Sequence, residues 1–371
     1  MSIDKRGNSW RARYRGPDHR QRQRSFRRKI DAERWLAEQQ SRLTRGEWVD
    51  PAAARALFGD VAREWLSAAN HLKPKTRLGY ESLLATRVLP TWSRMPVGKI
   101  THEGVSEWIS VMADAGLSAS LIRQSVFVVS ATCDYAARTG RLVRNPVVGV
   151  KLPRIVRVRE RVFLTHAQVA TLAAAVPEHY AALIRALAYT GMRWGEATAL
   201  RVRDVDLARG RVDVSRSFAD INGQLIEGTP KSHQARTIPL LPTIHADLVR
   251  LASGAERDAL VFTTPDGYRL RSSNFRLNVW LPAVRAAGFD GLTPHGLRHT
   301  AASLYIAAGT PPKVVQRILG HASVAFTLDV YGHLYPDEMD IWAARLDGQM
   351  WAERGRSDES EESASGSVTP E

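Results

Sequence analysis

The spacing of apolar positions changes several times along this chain, and each change marks a different kind of element. Near the start the period is two. Trp10, Ala12 and Tyr14 alternate with Arg11, Arg13 and Arg15, the pattern of a strand with one face on a core. Gly16-Pro17-Asp18 is a turn signal, and Arg20 to Phe26 reads as a returning strand of a small three-stranded sheet. From Asp31 to Leu43 the spacing becomes helical, with Trp35, Leu36 and Leu43 placed to cover that sheet. Residues 51–57 are an alanine-rich connection. Helices then follow one another to about Val150. Phe58, Val61, Trp65 and Leu66 mark the first, and Tyr80, Leu83, Leu84 and Val88 the second, which Pro90 should end. Val105, Trp108, Ile109 and Met112 mark a third, Leu121 through Ala137 a fourth, with Thr101 and Ser118 as their caps.

Arg154 to Arg161 is basic and poor in apolar residues, and it follows Pro153. It reads as an interdomain linker, equally suited to lie along phosphates or to serve as a bare tether. Beyond Phe163 the helical period returns. Leu183 to Tyr189 is an apolar helix broken at Thr190-Gly191, and MRWGEATAL starts a new turn with Arg193 near its beginning and Glu196 three residues on. Residues 211–240 go back to a period of two: Val212 and Val214 on one strand, Asn222-Gly223 as a hairpin turn, Thr237 to Leu241 as a third strand. Thr293-Pro294 is a helix start, and Leu297, Ala301, Leu304, Tyr305 and Ala308 repeat at helical spacing up to Gly309. Pro311-Pro312 restarts a short helix ending at Gly320, and Ser323 caps the turns that reach Tyr331. Met339, Trp342, Leu346 and Met350 give Pro336 to Trp351 an amphipathic helical pattern. After Trp351 the chain is polar, acidic and without apolar anchors, and it is expected to be disordered.

Charge changes this picture more than composition does. The 371 residues carry 52 basic and 38 acidic side chains, a formal net charge of +14, which points to a polyanion and most economically to nucleic acid. Arginine-rich coding bias explains arginine in place of lysine but not the surplus over acids. Arg11, Arg13, Arg15, Arg22 and Arg24 make the first 50 residues the most basic part, an arginine-faced sheet suited to a DNA groove. Lys73, Lys75 and Arg77 give the helical bundle a basic side. Cys133 is the only cysteine, so a disulfide framework and a cysteine zinc site are excluded and a reducing cytoplasm is expected. No apolar run approaches the ~20 residues that span a bilayer, so no membrane partner is expected.

His295 and Arg298, His321 and Tyr331 bring together what phosphodiester chemistry needs without a metal. Arginine forks onto two phosphate oxygens, histidine moves protons, and tyrosine holds a phosphoryl group as a nucleophile. Any one of them alone reads as core or surface decoration; the four in this order do not. HGLRHTAAS, LGHAS and the following VYGH resemble the C-terminal signature of the tyrosine recombinases, the phage-integrase family. MRWGEATAL, followed by DVDL, is similar to that family's first arginine motif, and PKSHQARTIPL to its lysine-bearing hairpin, for which Lys231 is the only lysine between Lys151 and Lys313.

That resemblance implies a multidomain fold, mainly α with small β-sheets: an arm-type DNA-binding domain at 1–50, a helical core-binding domain at 56–152, the linker at 153–161, an α+β catalytic domain at 162–351 and a tail at 352–371. It implies conservative site-specific recombination through a 3′-phosphotyrosine, with no cofactor and no metal. Tyr331 is the implied nucleophile; Gly332-His333 selects it over Tyr335. Arg193 and Arg298 would brace the phosphate oxygens, His295 take the phenol proton, Lys231 protonate the 5′-oxygen and His321 donate to phosphate, with Glu196 supporting Arg193. The implied partners are double-stranded DNA at core and arm attachment sites, three further copies in a tetramer, a host DNA-bending protein and an excision directionality factor. A chromosome-dimer resolvase, a type IB topoisomerase-like activity and a non-catalytic DNA-binding regulator are the alternatives. The N-terminal module speaks against the first two and the complete residue set against the third.

Overall fold

The computed structural model describes residues 1–155, 162–230, 235–335, 339–340, 343–344 and 346–350. Lys231, Trp342, most of the basic linker and the acidic tail therefore lie outside the described residues. The chain divides into two units, Met1–Arg159 and Glu160–Glu371, each with its own apolar cores.

In the first unit, strands β1 (Ser2–Arg6), β2 (Ser9–Arg15) and β3 (Gln21–Phe26) form an antiparallel sheet in that order. Helix α1 (Lys29–Thr44) covers one face, burying Ala32 and Leu36 against Ala12 and Tyr14. The alternation read from β2 holds: Ala12 and Tyr14 point inward, Arg11, Arg13 and Arg15 outward. The five candidate arginines do not share a face, however. The register sets Arg11, Arg13 and Arg15 opposite Ser25, Gln23 and Gln21, whereas Arg24 and Arg22 sit opposite the buried Ala12 and Tyr14. Directly paired residues point to the same side of a sheet. Arg22 and Arg24 thus belong to the helix-covered side, where Arg22 stacks on Trp48 and Arg24 on Phe26. A run of arginines at consecutive even and odd positions cannot reveal this; only the register does.

The bundle that follows is built from α2 (Phe58–Ala68), α3 (Pro74–Leu83), α4 (Leu89–Trp92), α5 (His102–Asp114) and α6 (Ala119–Arg138). Phe58, Val61, Val88, Val105, Val128 and Val129 are fully buried at its centre. Thr101 accepts a hydrogen bond from the Gly104 N–H at 3.1 Å and Ser118 from Leu121 at 3.3 Å, the expected caps. Pro90 does not end its helix. A single wide turn of π type, Leu84–Val88, joins α3 to α4 and absorbs the proline, which stands in the first turn of α4 where its missing N–H costs nothing.

The second unit runs through α7 (His166–Ala175), α8 (Glu178–Thr190) and α9 (Trp194–Thr198). Strands β4 (Val205–Asp206), β5 (Arg211–Val214), β6 (Ser217–Ile221), β7 (Gln224–Gly228) and β8 (Arg236–Pro239) follow. The helices α10 (Pro242–Ala252), α11 (Ser272–Phe275), α12 (Leu281–Ala286), α13 (Gly296–Ala307), α14 (Pro312–Leu319) and α15 (Val324–Tyr331) complete it. The apolar α8 is its spine, flanked by α7, α10 and α13. Strand pairing differs from a simple three-strand meander. β5 pairs with β4 on one side and β8 on the other, while Asn222-Gly223 turns a separate β6–β7 ribbon. Both turn residues have positive φ, 50° and 78°, as a tight hairpin turn demands. Among the described residues no helix is long and apolar enough to cross a membrane.

Candidate active site

The site forms where the ends of α8, α13, α14 and α15 converge. Gly191 closes α8 in the left-handed conformation, φ 63°, and a Cβ there would lie 2.5 Å from the Leu319 side chain, so only glycine lets α8 end against α14. The chain reverses within two residues and α9 begins with Arg193 as its N-cap. Thr293 does accept from the Gly296 N–H, at 3.2 Å, but regular helix begins only at Gly296, so His295 is the residue before α13 and Arg298 is in its first turn. One is exposed, the other 3% exposed.

Arg298 is held by two helix ends. Its Nη1 donates to the Gly191 carbonyl at 2.6 Å and its Nη2 to the Leu319 carbonyl, both at helix C-termini whose unpaired carbonyls favour a cation. Arg193 donates from Nη1 to Glu196 at 2.8 Å, and Glu196 also accepts the Arg193 backbone N–H at 2.9 Å. Glu196 is fully buried and takes a second guanidinium, Arg236, at 2.6 Å. Burial works to raise the Glu196 carboxyl. The hydrogen bond and charge of Arg236, with the N–H and charge of Arg193, outweigh it and hold the pKa at about 2. Arg236 is further tied to the Ile318 carbonyl at 2.8 Å and lies against Gly320, where any Cβ would come within 3.0 Å of it.

Three guanidiniums thus surround one carboxylate, leaving a surplus of positive charge. Burial first, then the charges of Arg193 and Arg236, push Arg298 down to about 9. It stays protonated at neutral pH, and the charge of Glu196 works against the shift. A cleft of about 760 Å³ opens beside it, lined by Arg236, Gly320, His321, Arg211 and Arg317 among others.

His321 follows the left-handed Gly320, φ 66°. Its Nδ1 is 2.9 Å from the buried Thr327 hydroxyl, and burial followed by the charges of Arg298, Arg193 and Arg236 lowers it to about 3. It is therefore neutral at physiological pH. Its ring stacks on that of Tyr331, 6.2 Å between centroids and 9° between planes. Tyr331 ends α15, is 1% exposed, and its hydroxyl lies 2.7 Å from Nδ1 of His299. His295 packs edge-on against His299, centroids 5.1 Å apart.

The structure so brings together Arg193, Glu196, Arg298, His321 and Tyr331, with His295 at the rim. Lys231 lies outside the described residues, although β8 begins five residues after it. Two residues were missed by sequence reasoning. Arg236 follows Lys231 in PKSHQARTIPL. His299 follows Arg298 directly and stands four residues after His295, the spacing of side-chain neighbours on one helix face.

The candidate DNA contacts are differently placed. Arg11 and Arg13 pair with Asp4 at 2.9 and 3.1 Å, and Arg22 with Asp18 and Asp50 at 2.7 and 3.0 Å, while Arg15 and Arg24 are exposed. Lys73 is the N-cap of α3, with Lys75 and Arg77 in its first turns.

Comparison with known families decides the matter. The Phage integrase family model matches residues 162–338, the Phage integrase N-terminal domain residues 5–45 and the Phage integrase central domain residues 58–152. The chain belongs to the phage integrase family. It is a site-specific tyrosine recombinase, an enzyme that cuts and rejoins DNA. The prophage phiRv2 integrase of Mycobacterium tuberculosis is 28% identical over 333 residues, 86% of this chain and 87% of the relative. A Tn1549 transposon integrase in complex with a circular intermediate DNA has the same integrase fold, with TM-score 0.67 and 20% identity over 78% of this chain and 99% of that one. A lambda integrase tetramer bound to a Holliday junction gives TM-score 0.56 and 18% identity over 86% and 95%.

Proposed function

We propose that this integrase inserts and excises a mobile element, with Tyr331 attacking a scissile phosphate to form a 3′-phosphotyrosine and free a 5′-hydroxyl. The observation that carries the reading is the meeting of Arg193, Arg298, His321 and Tyr331 around the buried Glu196 and its paired arginines. Arg193 and Arg298 brace the non-bridging oxygens, where transition-state charge concentrates. Neutral His321 donates to phosphate from Nε2 when the Thr327 hydroxyl donates to its Nδ1. Lys231 protonates the leaving 5′-oxygen, and the phosphoryl bond energy is kept in the enzyme–DNA link, so no nucleotide is consumed. The test is incubation with a nicked duplex carrying the attachment core, in EDTA. A covalent adduct mapped to Tyr331 supports the reading. Dependence of the adduct on added magnesium would overturn its metal-free chemistry.

Residues 1–50 serve in this proposal as a separate arm-site module, residues 56–152 and the catalytic domain as the two parts that engage the core site. The outward row Arg11, Arg13, Arg15 motivates the first role. Asp4 already neutralises part of that row, so phosphate must displace it. Deleting residues 1–50 is expected to spare cleavage of a short core duplex and to abolish recombination that needs distal arm sites. The isolated module should bind DNA with steep salt dependence; no binding at low salt would remove this role.

Four active sites are needed to exchange strands between two duplexes, and the segment after Tyr331 is proposed to join neighbouring copies. Among its described residues, helical in 339–340, 343–344 and 346–350, Met339 is 74% and Leu346 69% exposed, apolar surface that its own domain does not cover. Truncation after Tyr335, or Met339 and Leu346 changed to Ser, is expected to leave monomer binding intact and to weaken cooperative assembly on DNA by ~10-fold or more. Unchanged cooperativity in gel-shift titrations would show that the segment is not the connector.

A further inference from the structure

The hydroxyl of Tyr331 has its hydrogen bond with His299, and that contact, together with the histidine pair it belongs to, is unused by the mechanism above. From it we infer that His299 is a catalytic residue that accepts the phenol proton of Tyr331 as the phosphate is attacked. The inference rests on Tyr331 being the nucleophile. A general base must first be within hydrogen-bond reach of the proton it takes, and Nδ1 of His299 is 2.7 Å from the Tyr331 oxygen. The same element supplies the electrophilic side of the reaction. Arg298 is the residue before His299 on α13, and the charge of Tyr331 acts on Arg298, so α13 carries the base and the phosphate-bracing group side by side and the end of α15 brings the nucleophile to them.

The Tyr331 O–H bond breaks and its proton moves to Nδ1 of His299. The freed oxygen pair forms the bond to phosphorus, and the bond to the 5′-oxygen breaks with its proton supplied from the lysine side. On rejoining, the imidazolium of His299 returns the proton to the departing phenolate. Among the described residues, His295 just before the helix and Tyr331 and His321 from the C-terminal elements lie against His299. His295 is exposed and packs edge-on against His299, with ring centroids 5.1 Å apart.

Single-turnover cleavage of the nicked attachment-core duplex across pH 6 to 9.5 tests this with His299→Gln, His299→Ala and His295→Gln, each checked for duplex binding and melting temperature. At pH 7 His299→Gln is expected to cleave ~10²-fold or more slowly, as loss of a general base does. Its deficit should shrink about tenfold per pH unit as the unassisted phenol, with a pKa near ~10, ionises by itself. Added imidazole should restore part of the activity of His299→Ala. A slope of this kind in the His299 variants supports the inference whatever His295→Gln does. A wild-type rate, a rate increase, or a deficit independent of pH and not relieved by imidazole would overturn it, the last two making His299 a latch or a purely structural partner. Should His299→Gln fail to fold, the imidazole arm in His299→Ala decides. Peptide mapping of the adduct separates the two readings, because an adduct on another tyrosine defeats the nucleophile assignment and an undiminished adduct on Tyr331 defeats only the role of His299.

Discussion

Tyr331→Phe should eliminate the covalent protein–DNA adduct, a loss of roughly 10⁶ in rate on the scale seen when an enzyme loses its nucleophile. Duplex binding should be unaffected. The fold is expected to survive because the phenylalanine ring keeps its stacking on His321, and loss of the hydroxyl contact to His299 costs about 1 kcal/mol. Tyr335 is the control. Its hydroxyl reaches the Thr310 carbonyl at 3.4 Å, and it packs against the same small core that contains Tyr331. Tyr335→Phe should therefore cleave normally. The measurement is adduct yield on the nicked duplex with both variants side by side. An active Tyr331 variant with a dead Tyr335 variant would transfer the nucleophile to Tyr335.

Much of the site was legible because its residues sit at helix boundaries, and boundaries have local causes. Thr190-Gly191, Gly309, Pro311-Pro312, Gly320 and Ser323 punctuate the chain where the structure ends or begins helices, which fixes Arg193, His321 and Tyr331 at element ends. The bundle was legible for the same kind of reason, its apolar stripes being long and periodic. Pro90 misled because a proline's missing N–H is harmful only inside a regular helix, and a π turn upstream moves it into a first turn. That accommodation depends on how Leu84, Val88 and Trp92 pack, and all three are buried.

What could not be read depends on pairings distant in sequence. That β8 joins β5, and not the intervening ribbon, puts Arg236 beside Glu196, 40 residues earlier. No spacing rule links those positions. Nor does a period of two say which face of a neighbouring strand is shared, so the sheet's arginines divided between two sides. His299 was concealed differently. It stood in the quoted motif, one residue after Arg298, but its role is visible only once α15 returns the Tyr331 hydroxyl to within 2.7 Å of it.

Arg298→Ala and Arg193→Ala should each slow cleavage at saturating duplex by ~10²–10³, the usual cost of one preorganised donor to a developing oxyanion. The two variants should nevertheless differ in stability. Removing Arg298 leaves the Gly191 and Leu319 carbonyls without their guanidinium donor in a buried site, a destabilisation of about 1–3 kcal/mol per unsatisfied group. It also relieves the crowding of like charges with Arg193 and Arg236, which offsets part of that cost. Removing Arg193 leaves Glu196 still paired with Arg236 at 2.6 Å, so the buried carboxylate keeps one counter-charge and the melting temperature should fall less. Arg193→Ala is therefore the cleaner kinetic probe. Arg298→Lys adds a second one, since lysine keeps a charge but cannot span two helix-end carbonyls and a phosphate with one planar fork. It should recover part of the stability and little of the rate. Single-turnover rates below the melting transition, with binding measured separately, give transition-state losses undiluted by ground-state affinity. A near-wild-type rate in Arg193→Ala would take Arg193 out of the phosphate site and leave it as the buried carboxylate's cap. Full activity in Arg298→Lys would show that charge, and not the fork, is what α13 delivers to the phosphate.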